Sequence, residues 1–243
     1  MEHNTQSLDL SKCEKDRRIL GFFTGLIIGD GYIDKGVSKR GFRIKSIDNN
    51  YINYIKSFID DECNGLFQYK ISYIPAHFSC GCNHRECWEL AIKSTEYFSN
   101  IYSEFYSPLG RIVSTNAINW LTPEGIANWY MSDGYICLVG RTKGIIKNRR
   151  MDICTDRYNL DTVQQLSEYF NTILKIPTTV IKRVSRYRLR IGLKGYEDFI
   201  NIVKPYIVNS MYHKLYLGYE RPQTWGSKEF WDYQHSIGQI LQP

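Results

Sequence analysis

The 243-residue sequence has no apolar run long enough to cross a membrane. Its longest, Leu20 to Ile28, is broken by Thr24 and stops short of Asp30, whereas a span needs roughly 20 apolar residues. The segment Met1 to Asp16 is polar and lacks the apolar core of a secretory signal. Cysteine comes in an odd number, seven, which suits free thiols in a reducing, intracellular compartment better than a disulfide framework. With 43% hydrophobic and 23% charged residues, the composition excludes a disordered chain, a coiled coil and a collagen-like repeat. Excess charge is also scarce: 31 Lys and Arg against 25 Asp and Glu leave +6, too little to name a partner. Aromatic residues are abundant at 14%, with 19 tyrosines. At about 150 residues per domain the length fits one or two domains.

The charge is unevenly spread. Between Arg141 and Arg190 stand 12 Lys and Arg and only 4 Asp and Glu, so this segment alone exceeds the net charge of the chain. Read as one strand, Val180 to Gly192 puts Lys182, Arg186, Arg188 and Arg190 on one face, broken only by Val184. Ile181, Tyr187, Leu189 and Ile191 take the other. Such a basic face can enter a major groove or track phosphates. The alternative is an edge strand that carries charge against aggregation. Arginine favours nucleic acid, because its planar fork suits bidentate contact with phosphate or guanine.

The chain also repeats itself. Gly21 to Ile33 and Glu124 to Ile136 are both apolar helical runs that end in Asp-Gly-Tyr-Ile, and Asp30 and Asp133 lie 103 residues apart. Trp88 to Ile101 likewise parallels Leu189 to Ile202. The reading is two copies of a helix–strands–helix–strands–helix unit. A first half runs from 18 to 106, a linker from 107 to 122 and a second half from 123 to 220, between an N-terminal extension, 1–17, and a C-terminal tail, 221–243. Thr122 and Pro123 suit the cap and first turn of the second motif helix. Asn50 to Asp60 and Asp161 to Leu174 read as amphipathic helices.

Gly21, Gly25 and Gly29 recur every four residues and line one helix face, so another helix can approach closely. Ala127, Asn128 and Ser132 stand near the equivalent places on the second helix. Each helix then ends at an aspartate, where the dipole and the free carbonyls are already negative. A divalent cation held by the carboxylate and those carbonyls removes the mismatch. Gly31 and Gly134 suit a left-handed terminating residue. Two ordinary helix caps are the alternative, and matched flanks in both copies argue against it. Two packed helices bring Asp30 and Asp133 together about a pseudo-twofold axis, the symmetry of duplex DNA with its two scissile phosphates.

Phe23 to Gly31 closely resembles the nine-residue motif of the LAGLIDADG homing endonucleases, and Ile126 to Gly134 resembles it loosely. Leu121-Thr-Pro123, Ile202 to Tyr206 and Met211 to Leu215 are similar to that family too. The likeness covers about residues 18 to 220, in the single-chain form with two motifs. It implies an α+β fold of duplicated αββαββα units, with a saddle of two antiparallel four-stranded sheets over double-stranded DNA and the motif helices at its centre. It implies a monomer that makes site-specific double-strand cuts across the minor groove, with magnesium or manganese. Asp30 and Asp133 would hold the metals with the backbone carbonyls of Gly29 and Ser132. A basic residue would stand beside each scissile phosphate: Lys214 in the second half and, where lysine is usual, Arg111 in the first. Each lies 81 residues after its aspartate. Ser46 and Thr155 fall near the place of a polar residue that orders water. DNA would be met by Tyr32, Arg40, Arg43, Lys45 and Lys70 in the first half. In the second it would be met by Arg141, Lys143, Lys147, Arg149 and the stripe Lys182, Arg186, Arg188 and Arg190.

Cys80, Cys82, His84 and Cys87 have ligand types that zinc accepts, but not one of the common finger spacings. A DNA-facing hairpin with free thiols is the other reading. For the whole chain, an intron maturase acting on RNA and a cleavage-inactive DNA-binding protein of the same fold stand beside the endonuclease. A basic two-repeat domain unrelated to the family is a third course.

Overall fold

Two helices decide the architecture because both are buried on nearly every side. In the computed structural model, which describes residues 14–35, 40–79, 82–108, 110–142 and 145–215, α1 spans Glu14–Ile28 and is buried continuously from Ile19 to Ile28. Later in the chain Pro123–Asp133 forms a second such helix, buried from Glu124 to Met131. A helix without a polar face belongs in an interior, and these two pack against each other. Their approach leaves no room for side chains: a Cβ on Gly25 would lie 1.8 Å from the Gly125 carbonyl oxygen. One on Gly29 would lie 2.8 Å from the Ser132 Cβ. The nearest neighbours of Gly25 and Gly29 on α5 are therefore Gly125 and Ser132.

The first half continues through β1 (Tyr32–Ile33), β2 (Arg40–Ser46), α2 (Asn49–Glu62), β3 (Tyr69–Ile74), the hairpin extension β4 (His77–Ser79) and β5 (Cys82–His84), β6 (Cys87–Thr95) and α3 (Glu96–Ile101). The linker is structured, with β7 (Tyr106–Ser107), β8 (Gly110–Arg111) and α4 (Thr115–Asn119). The second half is α5 (Pro123–Asp133), β9 (Gly134–Thr142), β10 (Ile145–Cys154), α6 (Leu160–Thr172), β11 (Thr178–Arg183), β12 (Arg186–Ile191) and α7 (Leu193–Val203). The sheets run β1-β2-β6-β3 and β9-β10-β12-β11, antiparallel throughout and identical in order. The duplication is one of topology as well as sequence, in a mixed α/β fold. No helix among the described residues is long and apolar enough to cross a membrane.

The local chemistry explains the boundaries. Asp48 caps α2 by accepting from the Asn50 amide at 2.9 Å, Thr122 caps α5 by accepting from Gly125, and Asn159 caps α6. α1 already includes Glu14, inside the stretch that reads as an extension, and Arg18 bridges Glu62 and Glu124, tying this part of the helix to the other two. Gly31 and Gly134 are not left-handed. They are glycines for want of space, since a Cβ would lie 2.7 Å from the Leu26 carbonyl oxygen and 2.1 Å from the Tyr130 ring respectively.

One expected strand is a hairpin. Val184 adopts φ 54° and turns the chain, so Val180 to Gly192 splits between β11 and β12. Cross-strand partners share a face. Arg186 opposes Arg183, Arg188 opposes Ile181, and Arg190 opposes Thr179. Lys182 opposes Tyr187 on the reverse face, so it leaves the basic stripe and Arg183 joins it, while Ile181 moves to the basic side.

Candidate active site

Packing of α1 on α5 delivers their two aspartates to one place. Asp30 sits in the turn after α1 and is partly exposed, while Asp133 is the last residue of α5 and is half-buried. Burial first, and then the negative charge of Asp30, push the Asp133 carboxyl up to about 7. Arg157, Lys214 and Arg111 pull the other way without prevailing. This is the electrostatic signature of a site short of positive charge.

Basic groups stand on the carbonyls around the aspartates. Arg111, presented by the β7–β8 hairpin, donates from Nη2 to the carbonyls of Ile27 and Gly31, each at 2.7 Å. Lys214 donates from Nζ to the Met131 carbonyl and, at 3.4 Å, to that of Ser132. Each basic residue so caps the C-terminal end of its own motif helix, where a cation is electrostatically favoured. Burial brings the Lys214 ammonium down to about 8 although Asp133 and Asp30 act to raise it.

A third cation was not singled out from the sequence. Arg157 donates from Nη2 to Asp30 Oδ1 at 3.1 Å and from Nη1 to the Gly29 carbonyl at 3.2 Å. It crosses from the second half to the first. The loop that carries it, between β10 and α6, has five residues, whereas the matching loop between β2 and α2 has two. Tyr158 in the same loop donates to the Ile28 carbonyl at 2.9 Å. The signal was that length difference, a place where the two copies fall out of register.

Neither short polar residue is aimed at the aspartates. The Thr155 hydroxyl is buried and donates to the Tyr187 carbonyl at 2.7 Å, which does not fit a water-ordering role. Ser46 Oγ accepts from the Asp48 amide at 3.0 Å, within the turn that starts α2.

A model of the LAGLIDADG DNA endonuclease family matches residues 20–199, the span that holds both motif helices and both sheets. The chain belongs to that family. Among curated relatives, the cytochrome b mRNA maturase bI2 of Saccharomyces cerevisiae is 26% identical over 210 residues, 81% of this chain. The chain spans about half, 47%, of that protein's length. A probable intron-encoded endonuclease of Wickerhamomyces canadensis is 24% identical over 88% of both chains. Among solved structures, the homing endonuclease I-WcaI bound to its DNA recognition sequence is similar with a TM-score of 0.69 and 21% identity, over 84% of this chain and 88% of that one. At that identity the likeness is one of fold.

Several of the residues expected to meet nucleic acid lie on the sheet faces turned away from the helices. Tyr32, Arg43, Lys45 and Lys70 share such a face in the first half, around Glu89 on β6. Glu89 lies 3.4 Å from both Arg43 and Lys45. Arg40 is not on this face, because alternation along β2 puts it on the side of Phe42, opposite to that of Arg43 and Lys45. Its guanidinium lies 3.5 Å over the Tyr102 ring and donates to the Asp34 carbonyl. In the second half Arg183, Arg186, Arg188 and Arg190 share the corresponding face with Asp152 and Asp156. Arg141, Lys147 and Arg149 lie on β9 and β10, but their side chains fall outside the described residues, and Lys143 is outside them altogether.

The cysteine-rich segment forms the β4–β5 hairpin, with His77 and His84 paired across it and their rings stacked at 4.9 Å. Among the described residues no three His, Cys, Asp or Glu side chains gather as a metal site. Cys80 lies outside the described residues.

Proposed function

We propose that this LAGLIDADG protein is a homing endonuclease that makes a metal-dependent double-strand break in DNA, hydrolysing one phosphodiester per strand across the minor groove. The observation that carries the reading is the pairing of Asp30 and Asp133 at the ends of helices packed glycine on glycine, with Asp133 raised to about 7. A carboxylate raised that far calls for more positive charge than the chain's own cations supply.

The donors suit magnesium or manganese. Carboxylates and backbone carbonyls are hard oxygen ligands, and magnesium commonly takes only one or two carboxylates plus substrate phosphate oxygens. The chain's own cations support the reading that these oxygens attract positive charge: Arg157 stands on the Asp30 carboxylate and Gly29 carbonyl, and Lys214 on the Ser132 carbonyl. When bound, the metal supplies Lewis-acid polarisation of the phosphate and an activated water. Asp30 and Asp133 hold it in place. With a pKa of about 8, Lys214 can donate or accept a proton near neutral pH. Arg111 keeps its charge throughout and serves only to stabilise the developing negative charge.

Incubation with a randomised duplex library and magnesium should enrich one long, nearly asymmetric cut sequence. The reading is overturned if Asp30→Asn and Asp133→Asn variants cut as well as the wild type. A second reading, RNA binding in intron splicing, has one specific support: the yeast relative is named as an mRNA maturase. Binding to intron RNA orders of magnitude tighter than to any selected duplex, without DNA cleavage, would favour it.

A further inference from the structure

The basic face of the second-half sheet is organised around a carboxylate that solvent does not reach. Asp152 on β10 has no exposed side-chain surface, yet it alternates with Met151 and Ile153, which enter the core. It lies directly opposite Arg190 on β12. Arg190 grips it side-on, with Nε 2.7 Å from Oδ1 and Nη2 2.9 Å from Oδ2. The Tyr135 hydroxyl donates to Asp152 at 3.3 Å and accepts from Arg188 Nη1 at 2.8 Å. Arg188 in turn grips Asp156 side-on at 3.1 and 3.0 Å. Asp156, Arg188, Tyr135, Asp152 and Arg190 form one continuous network across three strands and the loop after β10.

Such a network is a poor design for holding phosphates. A carboxylate at the centre offsets part of the arginine charge that phosphate binding uses, and it repels phosphate itself. It offers geometry in return. A side-on pair occupies the Nε edge of the guanidinium, fixes its plane and points the Nη1–Nη2 end away from the carboxylate. That end matches the O6 and N7 acceptors of guanine in the major groove. The first half differs: Arg43 on β2 is shared between Asp34 at 3.3 Å and Glu89 on β6 at 3.4 Å, and neither contact is a side-on pair. Because β2 corresponds to β10 and β6 to β12 in sheet order, the arginine emerges from non-equivalent strands in the two halves.

We propose that Asp152 is a positioning residue that aims Arg190 at a guanine in the second half-site, so that Arg190 determines specificity and contributes little to sequence-independent affinity. The proposal rests on the DNA-binding reading above. The test is a binding selection from a randomised duplex library by the full chain, followed by salt titration on the selected duplex and on a scrambled one. In Asp152→Asn, preference for guanine at one base pair should fall about tenfold, while affinity for the scrambled duplex holds or rises and its salt dependence steepens by about one phosphate contact. Arg190→Lys, which keeps the charge and loses the fork, should lose the same preference with scrambled-duplex affinity within about twofold. It carries the test if Asp152→Asn does not fold. Unchanged base preference in these variants, or a uniform loss on every duplex, overturns the proposal and leaves DNA recognition standing. A wild type that enriches no sequence overturns both.

Discussion

Arg157 of the second half holds Asp30 of the first, its Nη2 3.1 Å from Oδ1, while its Nη1 takes the Gly29 carbonyl at 3.2 Å. A cation of the chain therefore stands on the donor pair proposed for a metal ion. Among the described residues Asp133 has no such partner from the first half, whose corresponding loop is only two residues long. The two ends of the active site are thus unequal before any ligand arrives.

Removing that cation should make the Asp30 end bind metal more tightly. Both side chains are nearly half exposed, so the pair contributes at most about 1 kcal/mol. Arg157→Ala should bind terbium, read by tyrosine-sensitised luminescence of the DNA-free protein, roughly fivefold more tightly. The gain should vanish in an Asp30→Asn background. Equal affinities in Arg157→Ala and wild type would contradict the assignment.

Helix packing at the centre tolerates no added atom. A Cβ at residue 25 would lie 1.8 Å from the Gly125 carbonyl oxygen, a backbone atom that cannot step aside. Gly25→Ala should destabilise the fold by about 3 kcal/mol or more in denaturant unfolding. Gly192→Ala, at a helix cap with open space around it, should cost less than about 1 kcal/mol. Similar losses from the two substitutions would show that the helices do not meet there.

The raised Asp133 carboxyl gives the metal-free protein a signed pH dependence. Its folded pKa of about 7 lies above the ordinary value near 3.9, so between the two the folded state holds a proton that the unfolded state lacks. The contribution to stability is present below about pH 4 and is lost as pH rises through 7. Relative to Asp133→Asn, the wild type should lose on the order of 3 kcal/mol between pH 4 and pH 7.5, measured by denaturant unfolding in chelator. A constant difference across that range would mean that Asp133 titrates normally.

The difference between Lys214 and Arg111 should appear as unequal strand cleavage. Lys214 titrates near neutral pH and arginine does not. With each strand of the selected duplex labelled separately, one should be cut at least about tenfold faster. Arg111→Lys should narrow the gap. Equal wild-type rates would assign both residues the same electrostatic role.

Much of this was legible in the sequence. The repeat stood out because Asp-Gly-Tyr-Ile closes both apolar helices, and the glycine spacing in α1 announced close packing. Arg157 is not legible in the repeat because its loop is three residues longer than its counterpart, five against two. The β11–β12 turn escaped because a β-branched valine rarely takes positive φ, so Val184 reads as strand and Lys182 as part of the stripe. In the sequence Asp152 and Asp156 are only two of the four acidic residues in a basic segment. Their pairing with Arg190 and Arg188 joins residues more than 30 positions apart, and only the register of β10 on β12 reveals it.

The most direct test of the central claim uses a supercoiled plasmid that carries the library-selected site, incubated with magnesium and purified protein. The account predicts that wild type yields linear DNA and that neither Asp30→Asn nor Asp133→Asn does, although each still binds the site. Linear product from either variant at the wild-type rate would contradict it.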